Sequence, residues 1–208
     1  MFKNPTTRSK LGWLLIDMLV VFLGVYAAFA LDSYRQMQQQ KQREETIIKS
    51  LLVEFSESQK TLDAMLPQIN KLVDSLSIAY ETGMMPRLPF MQAAISHRSQ
   101  YWETMMQMGG FDVLDIDFVL KMEDYHAQVE TLQETSKKFE QLCIQLILPQ
   151  ADAEISEFYN TETQKLKHRY SWYFPTLKNF KNKFHELHAQ NRELLKYITA
   201  RTSDKHVP

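Results

Sequence analysis

From Leu11 to Leu31 the chain runs 21 residues in which Asp17 is the only side chain that carries charge at neutral pH. At 1.5 Å of rise per residue this is about 32 Å of helix, enough to cross a hydrocarbon core of roughly 30 Å. A span that began after Asp17 would keep only Met18 to Leu31, about 21 Å, which is too short without serious thinning of the bilayer. The carboxyl is therefore expected inside the hydrocarbon. An aspartate near mid-membrane costs on the order of 2.5–3.5 kcal/mol, and its short side chain reaches the interface poorly. Something has to compensate for that cost.

On a helix Asp17, Val21, Gly24 and Ala28 follow one another at steps of four, three and four, so the acid shares a face with a Gly-x-x-x-Ala pair. Small residues at this spacing allow a second backbone to approach closely. The spacing predicts that Asp17, Gly24 and Ala28 meet a partner helix, which is either a second copy of the chain or another membrane protein. In that place Asp17 either hydrogen-bonds across the helix pair or serves as a proton- or ion-responsive site.

A different reading removes the aspartate problem. Lys3, Arg8 and Lys10 precede an apolar run that ends in Ala28-Phe29-Ala30, the small-x-small pattern of a signal-peptidase site. Cleavage there would release a secreted helical protein. The run is long for a signal segment, however, and Asp17 interrupts it. Arg35, Lys41 and Arg43 beyond the span match the three basic residues before it, so charge decides orientation only slightly, in favour of a cytoplasmic N-terminus.

Beyond the span the composition is that of a helical protein. Glycine and proline are few, at 5 and 7, while Leu, Met, Gln, Glu and Lys recur throughout. A formal charge of -1 over 208 residues gives no bulk attraction to nucleic acid. No Gly or Pro appears between Leu31 and Pro67, so the membrane helix is expected to continue as a stalk through residues 32–82. Its apolar positions are Ile47, Leu51, Phe55, Leu62, Met65, Ile69, Leu72, Leu76 and Tyr80. Pro67 should kink this helix, and Gly83 with Pro86 and Pro89 should end it.

A second helix is expected over Phe90–Met108, stopping at Gly109-Gly110. Phe118, Met122, Tyr125, Val129, Leu132, Ser136, Phe139, Cys143 and Leu146 then alternate steps of four and three, a stripe that requires a packed partner. Leu177, Phe180, Phe184, Leu187, Asn191, Leu194 and Ile198 offer one. Between them Pro149 loosens a turn and Ala151–Tyr170 reads as helix. The resulting fold class is all-α, with no strand signal: one N-terminal transmembrane helix over residues 11–31, continuing into an extramembrane antiparallel helical bundle over residues 90–201. A basic tail precedes the span, and residues 202–208 read as a flexible end.

Few motifs suggest chemistry. His185-Glu-Leu-His188 lacks the four-residue spacing of the metalloprotease motif, which leaves a two-histidine half-site with His168 or His97 or ordinary helix-surface positions. Cys143 is the single cysteine and falls on the apolar stripe, so it reads as an inert core thiol. Lys165–Lys205 carries ten Lys and Arg residues against Glu186, Glu193 and Asp204, but dispersed among core positions as on a solvated helix surface. Tyr170, Trp172, Tyr173 and Phe174 form an aromatic corner that either caps the bundle or takes a ligand or the membrane interface. No metal, cofactor or catalytic grouping is expected.

Two stretches resemble an uncharacterised family of bacterial single-pass membrane proteins. Asp17-Met-Leu-Val-Val-Phe-Leu-Gly-Val-Tyr-Ala-Ala-Phe-Ala-Leu-Asp-Ser-Tyr34 is similar to that family's acidic-start span, with Asp17 where Glu is usual. Tyr101-Trp-Glu-Thr-Met-Met-Gln-Met-Gly-Gly-Phe-Asp-Val-Leu-Asp-Ile-Asp-Phe-Val-Leu120, followed by Tyr125-His126, is similar to its helix, Gly turn and aromatic-ended helix, with His126 where a second Tyr is common. The resemblance covers about a third of the chain and implies a shared architecture without an activity. Leu15-Ile-Asp-Met-Leu-Val-Val-Phe-Leu23 also resembles the span of the ExbD/TolR group, whose aspartate serves proton-driven motors. Those proteins carry an α/β domain, which nothing after residue 31 matches.

The reading that follows is a non-enzymatic, single-pass subunit of the bacterial inner membrane, bundle outside the cytoplasm, associating through the Asp17 face. The alternatives are a proton-responsive, stator-like subunit using Asp17, a membrane-anchored ligand sensor, and the secreted form.

Overall fold

A computed structural model describes residues 7–90, 100–107 and 114–204. The first helix, α1 (Thr7–Glu81), takes in the apolar segment and the polar stretch after it without a break, and contains Pro67. The chain divides into two compact units, Met1–Thr46 and Ile47–Pro208, and α1 contributes to both. In the first unit α1 is one helix long and apolar enough to cross a membrane, and none of its apolar window is buried. Trp13, Phe22 and Phe29 are 70%, 72% and 69% exposed.

The second unit is the bundle. It is built from the rest of α1 with α2 (Gln100–Gln107), α3 (Ile116–Leu142) and α5 (Tyr173–Asp204). All-α is the architecture observed. α1 stops where Gly83 demands it: Gly83 adopts φ 81°, its N–H reaches Tyr80 O at 3.2 Å, and Met84 N–H reaches Ala79 O at 2.9 Å. This pair of bonds satisfies the last carbonyls of the helix, and the left-handed residue between them is least strained as glycine. α3 starts on Asp115, whose carboxylate accepts the Phe118 N–H at 2.9 Å and so satisfies a free donor of the first turn.

Both stripes face the core. All seven α5 positions named above are buried, as are the α3 positions from Phe118 to Cys143. The α3 stripe then slips by one residue. Cys143–Ile147 form a π-turn, and Ile147 is buried in place of Leu146. One extra residue per turn rotates the following side chain into the position the α-helical spacing would have given its predecessor.

Part of the helix expected over Phe90–Met108 is observed as α2; residues 91–99 and 108–113, with the Gly109-Gly110 stop and the middle of the second resemblance, lie outside the described residues. One expected element differs. Ala151–Tyr170 is not one helix. A single turn, α4 (Ile155–Phe158), leads into β1 (Tyr159–Asn160), which pairs antiparallel with β2 (Lys165–Leu166), so strand does occur. The Asn160 side chain accepts the Glu162 and Thr163 N–H groups at 3.0 and 3.1 Å, and Gln164 takes φ 56°. A side chain that bonds the backbone two and three residues on offers an alternative to helix, and here it wins.

The end of α3 furthest from Asp115 is closed by aromatic rings. Tyr173 O–H donates to Pro89 O at 2.6 Å and Tyr159 O–H to Pro86 O at 2.7 Å, which fastens the loop after α1 to the start of α5 and to β1. Burial pushes both phenols above their ordinary range.

At the other end Asp115 has a second task. Besides Phe118 N–H it accepts Tyr197 O–H at 2.8 Å and pairs with Arg201, tying the last turns of α5 to the start of α3. These bonds, the Phe118 N–H foremost, hold its carboxyl below the usual range. A depressed folded value stabilises above the unfolded value near 3.9, and the gain is lost as pH falls through the folded value. Asp115→Asn is therefore expected to flatten the acid limb of a stability-versus-pH curve below about pH 4, where the paired carboxylate titrates. An acid limb of unchanged steepness would show that Asp115 contributes nothing there.

Candidate functional site

Two places in the chain combine polar groups with apolar surroundings. The first is the face of α1 in the N-terminal unit. Asp17, Gly24 and Ala28 are all exposed. Among the described residues a Cβ added at Gly24 would meet nothing within 4 Å, so no close approach there calls for glycine. The helix interior disfavours glycine by roughly 1 kcal/mol relative to alanine.

The second is a polar seam between α1 and α5 in the bundle. Along α1, Gln59, Asp63, Asn70, Asp74 and Glu81 meet, in reverse order along α5, Asn191, His188, His185, Lys181 and Lys178. His188 Nε2 lies 2.6 Å from Asp63 Oδ1, and His185 Nε2 lies 2.8 Å from Asn70 Oδ1. Lys181 Nζ and Lys178 Nζ sit 2.6 Å from Asp74 and Glu81 carboxylates. The two histidines of His185-Glu-Leu-His188 thus bind two different α1 residues, following the antiparallel register of the helices. Each exposed pair contributes little alone, but a slip of one turn would break the whole series.

The seam turns inward at its Gln59 end. Asn191, 0% exposed, donates from Nδ2 to Phe55 O at 3.2 Å and to Gln59 Oε1 at 2.9 Å. Its Oδ1 accepts from Tyr125 O–H at 3.1 Å, and Tyr125 lies 3.3 Å from Ser58 Oγ. Burial pushes the Tyr125 phenol up to about 12, so it stays protonated and able to donate. α1, α3 and α5 are joined by this one chain of bonds.

No family model, curated protein or solved structure matches the chain.

The aromatic corner is engaged with the protein itself. Tyr170 packs on Phe158 and donates to Gln150 Oε1 at 2.6 Å. Trp172 lies edge-on to Phe139 and donates to Arg169 O at 3.0 Å. Tyr173 packs on Phe139, and Phe174 stacks on Tyr80 with ring centroids 4.4 Å apart. The corner serves as the closure of the bundle. Cys143 is buried beneath it. Among the described residues no group of three or more His, Cys, Asp or Glu is placed to hold a metal ion. His168 is exposed on a short 3-10 turn, and His97 lies outside the described residues.

Asn191 and Tyr125 are legible in sequence only as members of apolar stripes; a polar residue inside such a stripe is the signal that a buried hydrogen bond waits there. Asp63 and Gln59 carry no such mark.

Proposed function

We propose that the chain is a non-enzymatic, single-pass membrane protein whose bundle forms part of a membrane complex, and that it associates through the α1 face bearing Asp17, Gly24 and Ala28. The observation that carries this reading is that the apolar window of α1 has none of its surface buried although the same helix goes on to supply the first element of a well-packed core. An apolar surface of this size has to be covered, and a bilayer matches its length. The partner through the span is a second copy of this chain, because copies inserted in the same direction bring Gly24 to Gly24 and Asp17 to Asp17 at equal depth. The basic residues before the span support a bundle outside the cytoplasm.

Cysteine cross-linking in native membranes tests the face. Ala28→Cys is expected to form an inter-chain disulfide on mild oxidation, and Phe22→Cys, on another side of the helix, is not. Equal cross-linking from both positions would rule out a specific face. Within the Ala28→Cys background Asp17→Leu is expected to reduce the cross-linked fraction several-fold, whereas Asp17→Asn, which keeps the size and hydrogen bonds of the acid but cannot ionise, is expected to leave it unchanged. An Asp17→Asn variant that assembles but loses its cellular role would instead support the proton-linked reading. An intact protein retained in carbonate-washed membranes is expected; a mature N-terminus at Leu31 by mass spectrometry would establish the secreted form.

A further inference from the structure

We propose that Gln59, Asp63 and His188 form a pH-sensitive clasp, in which protonation of the His188 imidazole displaces the Gln59 amide and passes the change through Asn191 to buried Tyr125. The three polar atoms form a closed triangle: Gln59 Nε2 to Asp63 Oδ1 2.9 Å, Gln59 Nε2 to His188 Nε2 2.9 Å, and His188 Nε2 to Asp63 Oδ1 2.6 Å. The directions of two corners are fixed by the partners beyond the triangle. Asp63 Oδ1 can only accept, and Gln59 Nε2 can only donate, because Gln59 Oε1 is held by the Asn191 N–H.

His188 Nε2 must then choose. With its hydrogen on Nδ1 the ring accepts from Gln59, and Nε2 faces Asp63 as one acceptor against another. With a hydrogen on Nε2 it donates to Asp63, and two donors face each other along the Gln59 edge. One edge of the triangle is unsatisfied in either case, and whether Nε2 carries a hydrogen decides which. The neutral ring can present a bare Nε2 to Gln59; the protonated ring cannot, since both nitrogens then carry hydrogen.

The titratable groups around the clasp lie on α1 and α5, with α3 reached through Asn191. On α1 the facing group is Asp63, whose carboxyl is held below the usual range by hydrogen bonds from His188 and then Gln59, with Arg192 on the next turn of α5 adding to this. On the same face of α5, His185 is engaged separately with Asn70. α3 contributes Tyr125, through Asn191, and Glu54 on α1 bears on that phenol. As pH falls, the charge-assisted His188–Asp63 bond strengthens and the Gln59 amide is repelled. Gln59 cannot simply turn over, because its oxygen would leave the Asn191 N–H unpartnered in the core. The amide must shift as a whole, and Asn191 with it.

NMR of the full chain in detergent micelles, with 15N in the Gln and Asn side chains, tests this between pH 8 and pH 5. The His188 ring and the Asn191 side-chain amide are expected to shift with one shared midpoint, and the Asn191 shift is expected to vanish in His188→Gln, a variant that keeps a donor and an acceptor at the seam. An Asn191 amide that stays still while His188 titrates overturns the clasp. So does a His188 that does not titrate in this range, or an Asn191 shift that survives in His188→Gln.

Discussion

Replacing Phe184 with alanine is expected to lower the stability of the bundle by about 3–5 kcal/mol, the range for truncating a fully buried aromatic ring. Phe184 is 0% exposed on α5 and lies 6.3 Å from the Phe180 ring within the core that α1, α3 and α5 share. The position is central, so the surroundings can collapse only partly into the space, and the cavity adds to the lost burial. For a domain of this size the loss corresponds to a fall in Tm on the order of 10 °C. Far-UV circular dichroism is a poor reporter, because a membrane-embedded helix would keep its signal after the bundle melts. The fluorescence of Trp102 and Trp172, both held in bundle contacts, reads the transition directly. A shift under about 1 kcal/mol would mean that the ring does not sit in a close-packed site.

The contrast between α5 and residues 151–170 shows what the sequence can and cannot reveal. α5 opens on aromatics and carries an apolar residue at nearly every third or fourth position, so one packed face satisfies the whole helix; its buried residues follow from spacing alone. Along α3 the same rule holds until Cys143, where a π-turn that leaves no mark in the apolar pattern advances the buried face by one residue. In Ala151–Tyr170 the helix-forming Glu, Gln and Lys suggest a helix, but Asn160 bonds its own backbone and turns the chain into a hairpin. Local hydrogen-bond competition of this kind is invisible to periodicity.

The polar seam was illegible for another reason. Asp63 and His188 are 125 residues apart, and nothing in either segment announces the other. Only the antiparallel register of α1 and α5, itself a product of the whole core, brings His185 to Asn70 and His188 to Asp63. The histidine pair looks like a fragment of a metal motif because i, i+3 spacing is shared by metal ligands and by any two residues on one helix face.

Asn191→Leu is expected to destabilise the bundle by about 3 kcal/mol even though leucine is close to asparagine in shape and is the more apolar residue. Transfer free energy alone favours leucine at a site that is 0% exposed. The opposing contribution comes from the groups left behind. Gln59 Oε1 and the Tyr125 O–H each lose a partner, and Phe55 O loses its bond from outside the helix. An orphaned buried polar group costs about 1–3 kcal/mol, so two or three of them outweigh the gain. Tyr125 suffers most, since it is 2% exposed and retains only the 3.3 Å contact with Ser58. Tyr125→Phe should therefore cost less in the Asn191→Leu background than in the native one, because there it removes a group that has already lost its partner. The expected coupling is about 1 kcal/mol or more, measured by equilibrium unfolding of the two single variants and the double variant. If the two losses simply add, Tyr125 and Asn191 are not energetically joined, and the bonded chain from the core to Gln59 would be a feature of geometry without consequence for stability.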